Sequence, residues 1–278
     1  MFMKTASQTR RLPDIAMLWI GPALSFLEQL CILSFQAQGH RVILYSYAEV
    51  ALTPPGVIQR DAAAILPGDT IRRHERTGSP AVHSDLFRYL LLAREDVIWA
   101  DTDAYCVKPF DFLTPHVFGI LEDRLGIGVL GLPKDSPGLA RLIEFAHDPA
   151  PRVVFDANLR RLWIDPSAPP FPVEKQPWAA TGPMAATHFL TESREISHAL
   201  PEPAFYPLDF DNRNLLIRPR RRHLVEQAIA DEVYSIHFYG RRMRPRLAGE
   251  EGGAPRKGSY LDGLLQQYEI DPRAAPIL

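Results

Sequence analysis

Cysteine is almost absent from this sequence. Only two of the 278 residues are cysteines, and Cys31 and Cys106 lie inside apolar segments without any paired spacing. A disulfide framework is therefore not expected, and the pattern favours buried free thiols in a reducing compartment. Among such compartments the cytoplasm fits best.

Long hydrophobic runs are also missing. No window approaches the about 18 to 20 uninterrupted apolar residues that a membrane-spanning helix needs. The segment Met1 to Arg11 is basic and polar, and the apolar run after it is broken by Pro13, Asp14 and Pro22. This is not the pattern of a secretory signal peptide. We therefore predict no secretion and no transmembrane segment, so that membrane contact would be peripheral, at the inner membrane face.

The chain carries no excess charge of one sign. It has 31 Lys and Arg against 33 Asp and Glu, which gives a formal net charge of -2. Such a balance gives no global attraction to nucleic acid, so no nucleic-acid partner is predicted. Internal repeats and low-complexity tracts are absent too. With 46% hydrophobic and 23% charged residues, the composition is that of a globular protein of one α/β domain, or one with a small appendage.

Helical and strand patterns alternate along the chain. Ile15 to Ile20 is an apolar run closed by Gly21-Pro22, a helical pattern covers Ser25 to Gln38, and Arg41 to Tyr47 is again apolar. This order predicts a right-handed βαβ unit opening an α/β sheet. After this unit we predict a loop-rich connection over 53–80. Further helices are predicted over 81–94, 137–146, 155–163, 184–190 and 224–230. Further strands are predicted over 97–100, 117–121, 127–132, 205–210 and 234–239, and an amphipathic patch over 260–268.

The triplet Asp101-Thr102-Asp103 directly follows the short apolar strand Val97 to Ala100. In an extended stretch the two carboxylates point to the same side, so they can share one ligand. Ligands of open α/β sheets bind outside the carboxyl ends of strands, and carboxylate oxygens suit Mg²⁺ or Mn²⁺ that bridges phosphate oxygens. The triplet therefore predicts a metal site that clamps a diphosphate. The alternative is a simple turn after the strand, because Asp is a common turn residue.

Six short motifs follow one another in a recognisable order. SDLFRY at 84–89, VIWADTD at 97–103 and KPF at 108–110 closely resemble the S-D-x-x-R-y, i-y-x-D-x-D and K-P signature of family 32 glycosyltransferases, which carry a DXD sugar-binding motif. WIG at 19–21, TGP at 181–183 and HFY at 237–239 resemble that family's W-x-G, T-G-P and H-x-[WY]. The resemblance spans roughly residues 14 to 240. The family includes initiating mannosyltransferases, α-1,4-N-acetylglucosaminyltransferases and bacterial capsule enzymes.

The resemblance implies a GT-A-like fold, a Rossmann-like mixed sheet flanked by helices. On this basis we expect a single nucleotide-sugar-binding domain over 12–246 and a C-terminal appendage or flap over 247–278. It also implies a UDP-sugar or GDP-sugar donor, Mn²⁺ or Mg²⁺, and retaining transfer of a hexose or N-acetylhexosamine to a glycan or glycolipid. Without a membrane anchor, we expect a bacterial acceptor such as capsular polysaccharide or lipopolysaccharide.

The same resemblance implies which residues bind the donor. Trp19 and Gly21 would lie beside the nucleotide, with the Trp19 ring stacked on the base. Thr181 and Gly182 would open a helix that meets the sugar or the acceptor, while Trp178 could form an apolar wall for a sugar face. The alternative for Trp19 is an ordinary position in the hydrophobic core.

The implied chemistry involves five further side chains. Asp85 and Arg88 share one helix face and, in the family, contact the hydroxyls and phosphate of the donor; an exposed helix-surface ion pair is the alternative. Asp101 and Asp103 would hold the metal, and Asp103 joins Asp85 and Arg88 as a catalytic residue. His237 would be the third metal ligand, against the alternative of a hydrogen-bonded core histidine. The following Arg241 and Arg242 could neutralise the leaving diphosphate, although surface solvation is equally consistent with them.

Two other classes of function stay open. A nucleotidyltransferase-like enzyme would also hold Mg²⁺ with paired Asp residues, but it calls for a glycine-rich phosphate loop after the first strand, and Gly21-Pro22-Ala23-Leu24 does not provide one. A catalytically degenerate glycan-binding protein is the second alternative. Of the three classes, only the glycosyltransferase requires that the binding of a sugar nucleotide depend on metal.

Overall fold

The computed structural model describes residues 11–156, 158 and 160–277, so most of the basic N-terminal segment lies outside the described residues. The α-helices are α1 (Phe26–Ala37), α2 (Ala81–Arg94), α3 (Pro137–His147), α4 (Ala185–Glu192), α5 (Arg222–Ala228), α6 (Gly240–Gly249) and α7 (Tyr260–Gln267). The strands are β1 (Asp14–Trp19), β2 (Val42–Ser46), β3 (Ile58–Asp61), β4 (Val97–Ala100), β5 (Ala104–Cys106), β6 (Val117–Leu121), β7 (Arg124–Gly131), β8 (Val153–Asp156), β9 (Arg161–Ile164) and β10 (Ser235–His237).

Six strands form the central sheet, in the order β3-β2-β1-β4-β7-β6. β1 runs parallel to both β2 and β4, and β2 runs parallel to β3, whereas β7 is antiparallel to β4 and to β6. The βαβ unit β1-α1-β2 opens this sheet as the apolar runs predict. The predicted class, a Rossmann-like mixed sheet flanked by helices, is thereby confirmed.

Alternate side chains of β1 pack into two different apolar layers, one on each face of the sheet. Ile15 and Met17 pack on the side of α1, while Ala16 and Leu18 join the layer that contains α2, α3 and α4. Both faces of the strand are buried, which explains why the sequence here is continuously apolar rather than alternating. The sheet therefore fixes the positions of its strand ends from both sides.

The start of α1 is held by a capping box. Ser25 is the N-cap, and its backbone N–H and its hydroxyl both donate to the carboxylate of Glu28. Glu28 is fully buried, and it also forms an ion pair with Arg244 of α6. A charged residue is rarely buried without a partner, so this ion pair links α1 firmly to α6, which borders the site described below.

Several local predictions are wrong or incomplete. The helix α6 was not predicted, and the strand predicted over 234–239 ends at His237. The helix predicted over 155–163 is the hairpin of β8 and β9, whose strands pair antiparallel from Val153 opposite Ile164 to Asp156 opposite Arg161. The strand predicted over 205–210 is irregular chain whose aromatic side chains fill gaps in the core. The connection over 53–80 contains β3, a mostly exposed edge strand, and β5 was not predicted because three residues carry no periodicity.

The C-terminal residues cover α1 and the helices beside it. Leu261 and Leu265 of α7 are buried in an apolar cluster that also contains Leu30 of α1, and the carbonyl of Ala275 accepts from the N–H of Phe26. The division of the chain at residue 247 remains a prediction. Both cysteines are buried free thiols, and within the described residues no helix has the length and apolarity needed to cross a membrane.

His83 on α2 is held as a neutral imidazole. Its Nδ1 accepts from the backbone N–H of Arg72, so Nε2 carries the proton and donates to the hydroxyl of Tyr47 at 2.6 Å. Burial, with the nearby charges of Arg72 and Arg73, lowers the pKa of His83 to about 4. In the unfolded chain the imidazole is protonated near pH 6.5, whereas in the folded protein it stays neutral down to about pH 4. Neutral His83 therefore stabilises the fold fully above pH 6.5, and this stabilisation is lost as the pH falls towards 4.

We expect the free energy of unfolding of His83→Gln to fall less between pH 7 and pH 5 than that of the wild type. The wild-type free energy of unfolding should fall over this interval by about 1 to 2 kcal/mol more than that of the variant. Urea unfolding at both pH values measures this difference, with the exposed His223 replaced by Gln as the control. An equal pH dependence in wild type and His83→Gln would contradict the assignment.

Candidate active site

The site begins where β4 ends at the carboxyl edge of the sheet. The N–H of Asp101 donates to the carbonyl of Gly128 on β7 at 2.7 Å, and the chain then turns through Thr102 into β5. β5 pairs with β10 so that Ala104 lies opposite His237. The short strand that the sequence pattern missed is therefore what carries the distant histidine to the acidic triplet.

Asp101, Asp103 and His237 form a cluster that fits a divalent cation. One ligand atom from each lies within 4.8 Å of the others, and Nδ1 of His237 is 3.7 Å from Oδ1 of Asp103. This Nδ1 is buried and has no hydrogen-bond partner among the described residues. A buried nitrogen without a partner is costly unless a ligand satisfies it. Two carboxylates and an imidazole are suitable donors for Mn²⁺ or Mg²⁺.

Packing and hydrogen bonds fix the orientation of these three side chains. The indole N–H of Trp99 donates to Oδ1 of Asp101 at 2.8 Å, and the N–H of Gly240 donates to Oδ2 of Asp103 at 2.5 Å. The ring of His237 is held edge-on between Tyr206 and Tyr239, with ring centres 5.7 and 4.7 Å away. Such supporting contacts preorganise metal ligands.

The two carboxyl groups of the cluster have pKa values shifted in opposite directions. Burial raises the pKa of Asp101, and the neighbouring charge of Asp103 adds to that shift. Burial also acts to raise the pKa of Asp103, but His237, Arg244 and the N–H of Gly240 together hold it below its usual range. Asp103 is therefore the carboxylate that stays charged most readily, and a cation bound beside it would favour ionisation of both groups.

Asp85 and Arg88 of α2 extend the cluster into the protein. Arg88 is 5% exposed, and its Nη2 lies 3.3 Å from a carboxylate oxygen of both Asp85 and Asp101. Its Nη1 donates to the carbonyl of Ile127 at 2.6 Å. The pair is thus buried and is not an exposed ion pair on a helix surface. One guanidinium joins the two carboxylates that lie on either side of it.

Thr181 and Gly182 close the other side of Asp85. The hydroxyl of Thr181 donates to Oδ2 of Asp85 at 2.7 Å, and the carbonyl of Thr181 accepts from the hydroxyl of Tyr89. A Cβ added at Gly182 would lie 3.0 Å from both Asp85 and Ile127, so glycine permits this close approach. The predicted helix begins at Ala185, after an irregular turn at 180–184 in which Gly182 is not helical.

Trp19 ends β1 at the same edge, where it is partly buried and packs against the apolar layer on the α1 side. Its indole N–H donates to the carbonyl of Ala23 at 3.0 Å, and the guanidinium of Arg244 lies 5.4 Å from its ring centre. A Cβ added at Gly21 would come within 2.9 Å of the Trp19 ring nitrogen. Glycine at position 21 therefore allows the observed orientation of the indole.

A cleft of about 760 Å³ runs over these residues. Its volume is within the range of pockets for cofactor-sized ligands. Seven of the predicted site residues line it: Trp19, Asp85, Arg88, Asp101, Asp103, Thr181 and His237. Gly21 and Gly182 act behind that surface, by allowing Trp19 and Thr181 to take their positions.

Several lining residues were not predicted, above all Tyr206, Arg124, Arg160 and Arg244. Arg244 is mostly buried; its Nε donates to Glu28 at 2.6 Å, and the charges of Glu28 and Asp103 raise its pKa although burial opposes this. The only signal for Arg244 was its place in an arginine-rich run that begins after Gly240. The others have no sequence signal, because they come from an irregular segment and two β-hairpins.

Cations also line the rim of the cleft. Arg241 and Arg242 at the start of α6 both line it, and the guanidinium of Arg241 lies 4.0 Å from the ring centre of Trp178. Burial lowers the pKa of Arg241, and the charges of Arg242 and Arg76 lower it further. Within the part of the chain that the structure describes, neither Arg241 nor Arg242 forms an ion pair with a carboxylate, so both add positive charge to the cleft.

No family model and no curated protein matches the sequence. Among solved structures, the chain is similar to the PaToxG glycosyltransferase, with a TM-score of 0.42 and 14% identity over 67% of this chain and 72% of that chain. It is also similar to the WbbM bifunctional glycosyltransferase, with a TM-score of 0.25 and 12% identity over 42% of this chain and 24% of that chain. These likenesses are too distant to support an inference about activity. Any such inference rests on the geometry of the cleft.

Proposed function

We propose that this chain is a metal-dependent retaining glycosyltransferase. In this proposal it transfers a hexose or N-acetylhexosamine from a UDP-sugar or GDP-sugar to a glycan or glycolipid. The observation that carries the proposal is the buried Nδ1 of His237, which lacks a partner among the described residues and lies with Asp101 and Asp103 in a cleft with several arginines. This set of donors and cations is suited to a metal-bound diphosphate.

The donor would lie along the carboxyl edge of the sheet. Trp19 would stack on the nucleotide base, a contact worth about 1 to 3 kcal/mol. Arg241 and Arg242 would neutralise the diphosphate, and Thr181 with Gly182 would border the sugar. Asp101, Asp103 and His237 would hold Mn²⁺ or Mg²⁺, which when bound supplies Lewis-acid stabilisation of the leaving diphosphate.

Asp85 and Arg88 would have different roles at the donor sugar. Asp85 accepts from Thr181 and keeps further lone pairs for a sugar hydroxyl. Arg88 uses one nitrogen for the carbonyl of Ile127 and another for the two carboxylates, so it would act as a positioning residue for Asp85 and Asp101. No side chain is assigned as a general base, because in retaining transfer the departing phosphate can accept the proton of the acceptor hydroxyl.

The acceptor and the location of the enzyme are part of the same proposal. A bacterial capsular polysaccharide or lipopolysaccharide intermediate on the cytoplasmic side of the inner membrane would be a suitable glycan or glycolipid acceptor. Buried free thiols are consistent with a reducing compartment. Contact with the membrane would then be peripheral.

A donor screen tests this function. Full-length protein would be incubated with UDP-sugars and GDP-sugars in Mn²⁺, in Mg²⁺ and in excess chelator, and hydrolysis followed by NMR. We expect slow release of nucleoside diphosphate from at least one donor with metal only, and a first-formed sugar of the same anomeric configuration as the donor. Release of pyrophosphate from a nucleoside triphosphate and a sugar phosphate would instead identify a nucleotidyltransferase. Metal-independent glycan binding without hydrolysis would indicate a degenerate enzyme.

A further inference from the structure

One end of the cleft contains an arginine that the donor site does not use. Arg124 is the first residue of β7, four residues before Gly128, whose carbonyl accepts from the N–H of Asp101. At about 3.3 Å per residue, its Cα lies about 13 Å from Gly128 along the strand. Arg124 therefore lies well away from the metal cluster, in a separate part of the cleft.

Arg124 lies on the strand face that is turned towards the metal cluster. Regular pairing with β6 over 124–126 places Arg124 and Gly126 on one face of β7, and Gly128 shares that face because it and Gly126 both lie against Tyr206. A Cβ added at Gly128 would lie 3.1 Å from the ring of His237, and one added at Gly126 would lie 2.3 Å from the ring of Tyr206. The two glycines thus allow the rings of Tyr206 and His237 to lie directly against the strand, so that Tyr206 covers the strand between the metal ligand and Arg124.

The guanidinium of Arg124 is not satisfied by the described protein. Its Nε is buried without a hydrogen-bond partner among the described residues. Its Nη2 lies 3.7 Å from Oε2 of Glu122, the carboxylate with which it forms an ion pair. Glu122 forms a closer ion pair with Arg160, so one carboxylate serves two guanidinium groups. Asp123 is exposed and forms no ion pair with Arg124 in the described structure. Burial and the charge of Arg160 lower the pKa of Arg124 more than Glu122 and Asp123 raise it.

Two further elements complete the walls of this end of the cleft. The turn between β8 and β9 carries Arg160, which has a positive φ of 47° and lines the cleft beside Arg124. Phe210 and Tyr239 line the cleft as well, with ring centres 5.6 Å apart. Burial raises the pKa of Tyr239, and the charge of Glu122, the ion-pair partner of Arg124, adds to that shift, which places Tyr239 near this pair. Aromatic rings suit the apolar face of a sugar, and guanidinium groups suit carboxylate or phosphate.

We propose that this end of the cleft is an acceptor subsite for an acidic sugar, whose carboxylate or phosphate binds Arg124 and Arg160. The subsite is defined by Arg124, Arg160, Phe210 and Tyr239. This inference rests on the proposed glycosyltransferase function and narrows the acceptor to an anionic glycan. The charges that act on Arg241 are those of Arg242 and Arg76, whereas Arg160, Glu122 and Asp123 act on Arg124. The cations at the start of α6 are therefore separate from this pair, and in the proposal they face the donor diphosphate.

Calorimetric titration of full-length protein with three matched glycosides tests the subsite. The probes are methyl α-D-glucopyranoside, its 6-phosphate and the corresponding methyl glucuronide, each titrated with and without UDP and Mn²⁺. We expect a charged probe to bind at least about tenfold more tightly than the neutral one, as a charge-assisted hydrogen bond would give. The two charged probes distinguish a phosphate from a carboxylate, and UDP with Mn²⁺ should not displace them.

Three variants make the test specific to Arg124. Arg124→Gln should abolish the preference for the charged probe, whereas Arg161→Gln, on the same hairpin as Arg160 but outside the cleft, should retain it. Glu122→Gln removes the competing carboxylate and should tighten binding of the charged probe by several-fold. Thermal unfolding would confirm that Arg124→Gln is folded. The tighter binding expected for Glu122→Gln is a second test that does not depend on the folding of Arg124→Gln.

Several outcomes would overturn the subsite. These are equal binding of charged and neutral probes, an equal loss in Arg161→Gln, unchanged binding in Glu122→Gln, or displacement of the charged probe by UDP with Mn²⁺. If UDP binds with Mn²⁺ while the probes show no preference for charge, the subsite is wrong and the proposed function stands. If neither UDP nor GDP binds with Mn²⁺, the proposed function is wrong, and the titrations without nucleotide still report on Arg124.

Discussion

Asp103→Asn should lose metal-dependent donor hydrolysis by about 1,000-fold or more. The substitution removes the carboxylate whose pKa the site holds low, and metal ligation by a charged oxygen supplies several kcal/mol of transition-state stabilisation. Asn is a sharper choice than Ala, because its oxygen can still accept from the N–H of Gly240. Ala would leave that buried donor without a partner and mix an effect on stability with the effect on activity. Initial rates of UDP release across a Mn²⁺ series would measure the loss.

The matched control for this variant is Asp96→Asn. Asp96 comes immediately before β4, and its exposed carboxylate pairs with Lys134 at the surface. This control should keep wild-type hydrolysis, since exposed ion pairs contribute little. The free energy of unfolding of Asp103→Asn should stay within about 1 kcal/mol of wild type. Full hydrolysis by Asp103→Asn in the presence of metal would show that the cluster does not hold the catalytic cation.

Arg88→Met should cause the largest loss of stability among substitutions at the site. It removes the cation that lies 3.3 Å from both Asp85 and Asp101 and leaves their buried carboxylates without it. Breaking a buried ion pair in this way costs about 3 to 5 kcal/mol. Urea unfolding in the presence of chelator would measure the loss without a contribution from bound metal.

A combined variant separates the charge effect from lost packing. Replacing both Asp85 and Asp101 with Asn in the Arg88→Met background should recover part of the stability, because no uncompensated charge then remains buried. Arg141→Met, at an exposed ion pair on α3, should change the free energy of unfolding by less than about 1 kcal/mol. A loss below about 1 kcal/mol in Arg88→Met would contradict the buried network.

Regular elements could be predicted from the sequence where hydrophobic periodicity was strong. The helix over 81–94 and the strand over 97–100 match the structure at both ends, and Ser136 caps α3 as its position before Pro137 indicates. These segments have a buried face whose period matches their geometry. The hairpin of β8 and β9 was misread as a helix, because a short apolar run with exposed positions fits both periods.

The site was predicted in part, for a different reason. Asp101 and Asp103 are separated only by Thr102, so a local pattern was sufficient to identify them. His237 entered only through the resemblance, since its position depends on the pairing of β5 with β10, which no local pattern shows. Tyr206, Arg124 and Arg244 reach the cleft through long-range packing alone. Contacts between segments far apart in sequence leave no periodic signal in either segment.

Titration calorimetry of UDP binding tests the central claim, that Asp101, Asp103 and His237 hold a cation that binds a nucleoside diphosphate. Wild type and Asp103→Asn would each be titrated with UDP, and in parallel with GDP, in Mn²⁺ and in excess chelator. The proposed site predicts that wild type binds one of the two at least about tenfold more tightly with Mn²⁺, and that Asp103→Asn loses this dependence. Equal affinity of wild type with Mn²⁺ and with chelator, or no binding of either nucleotide, would contradict it.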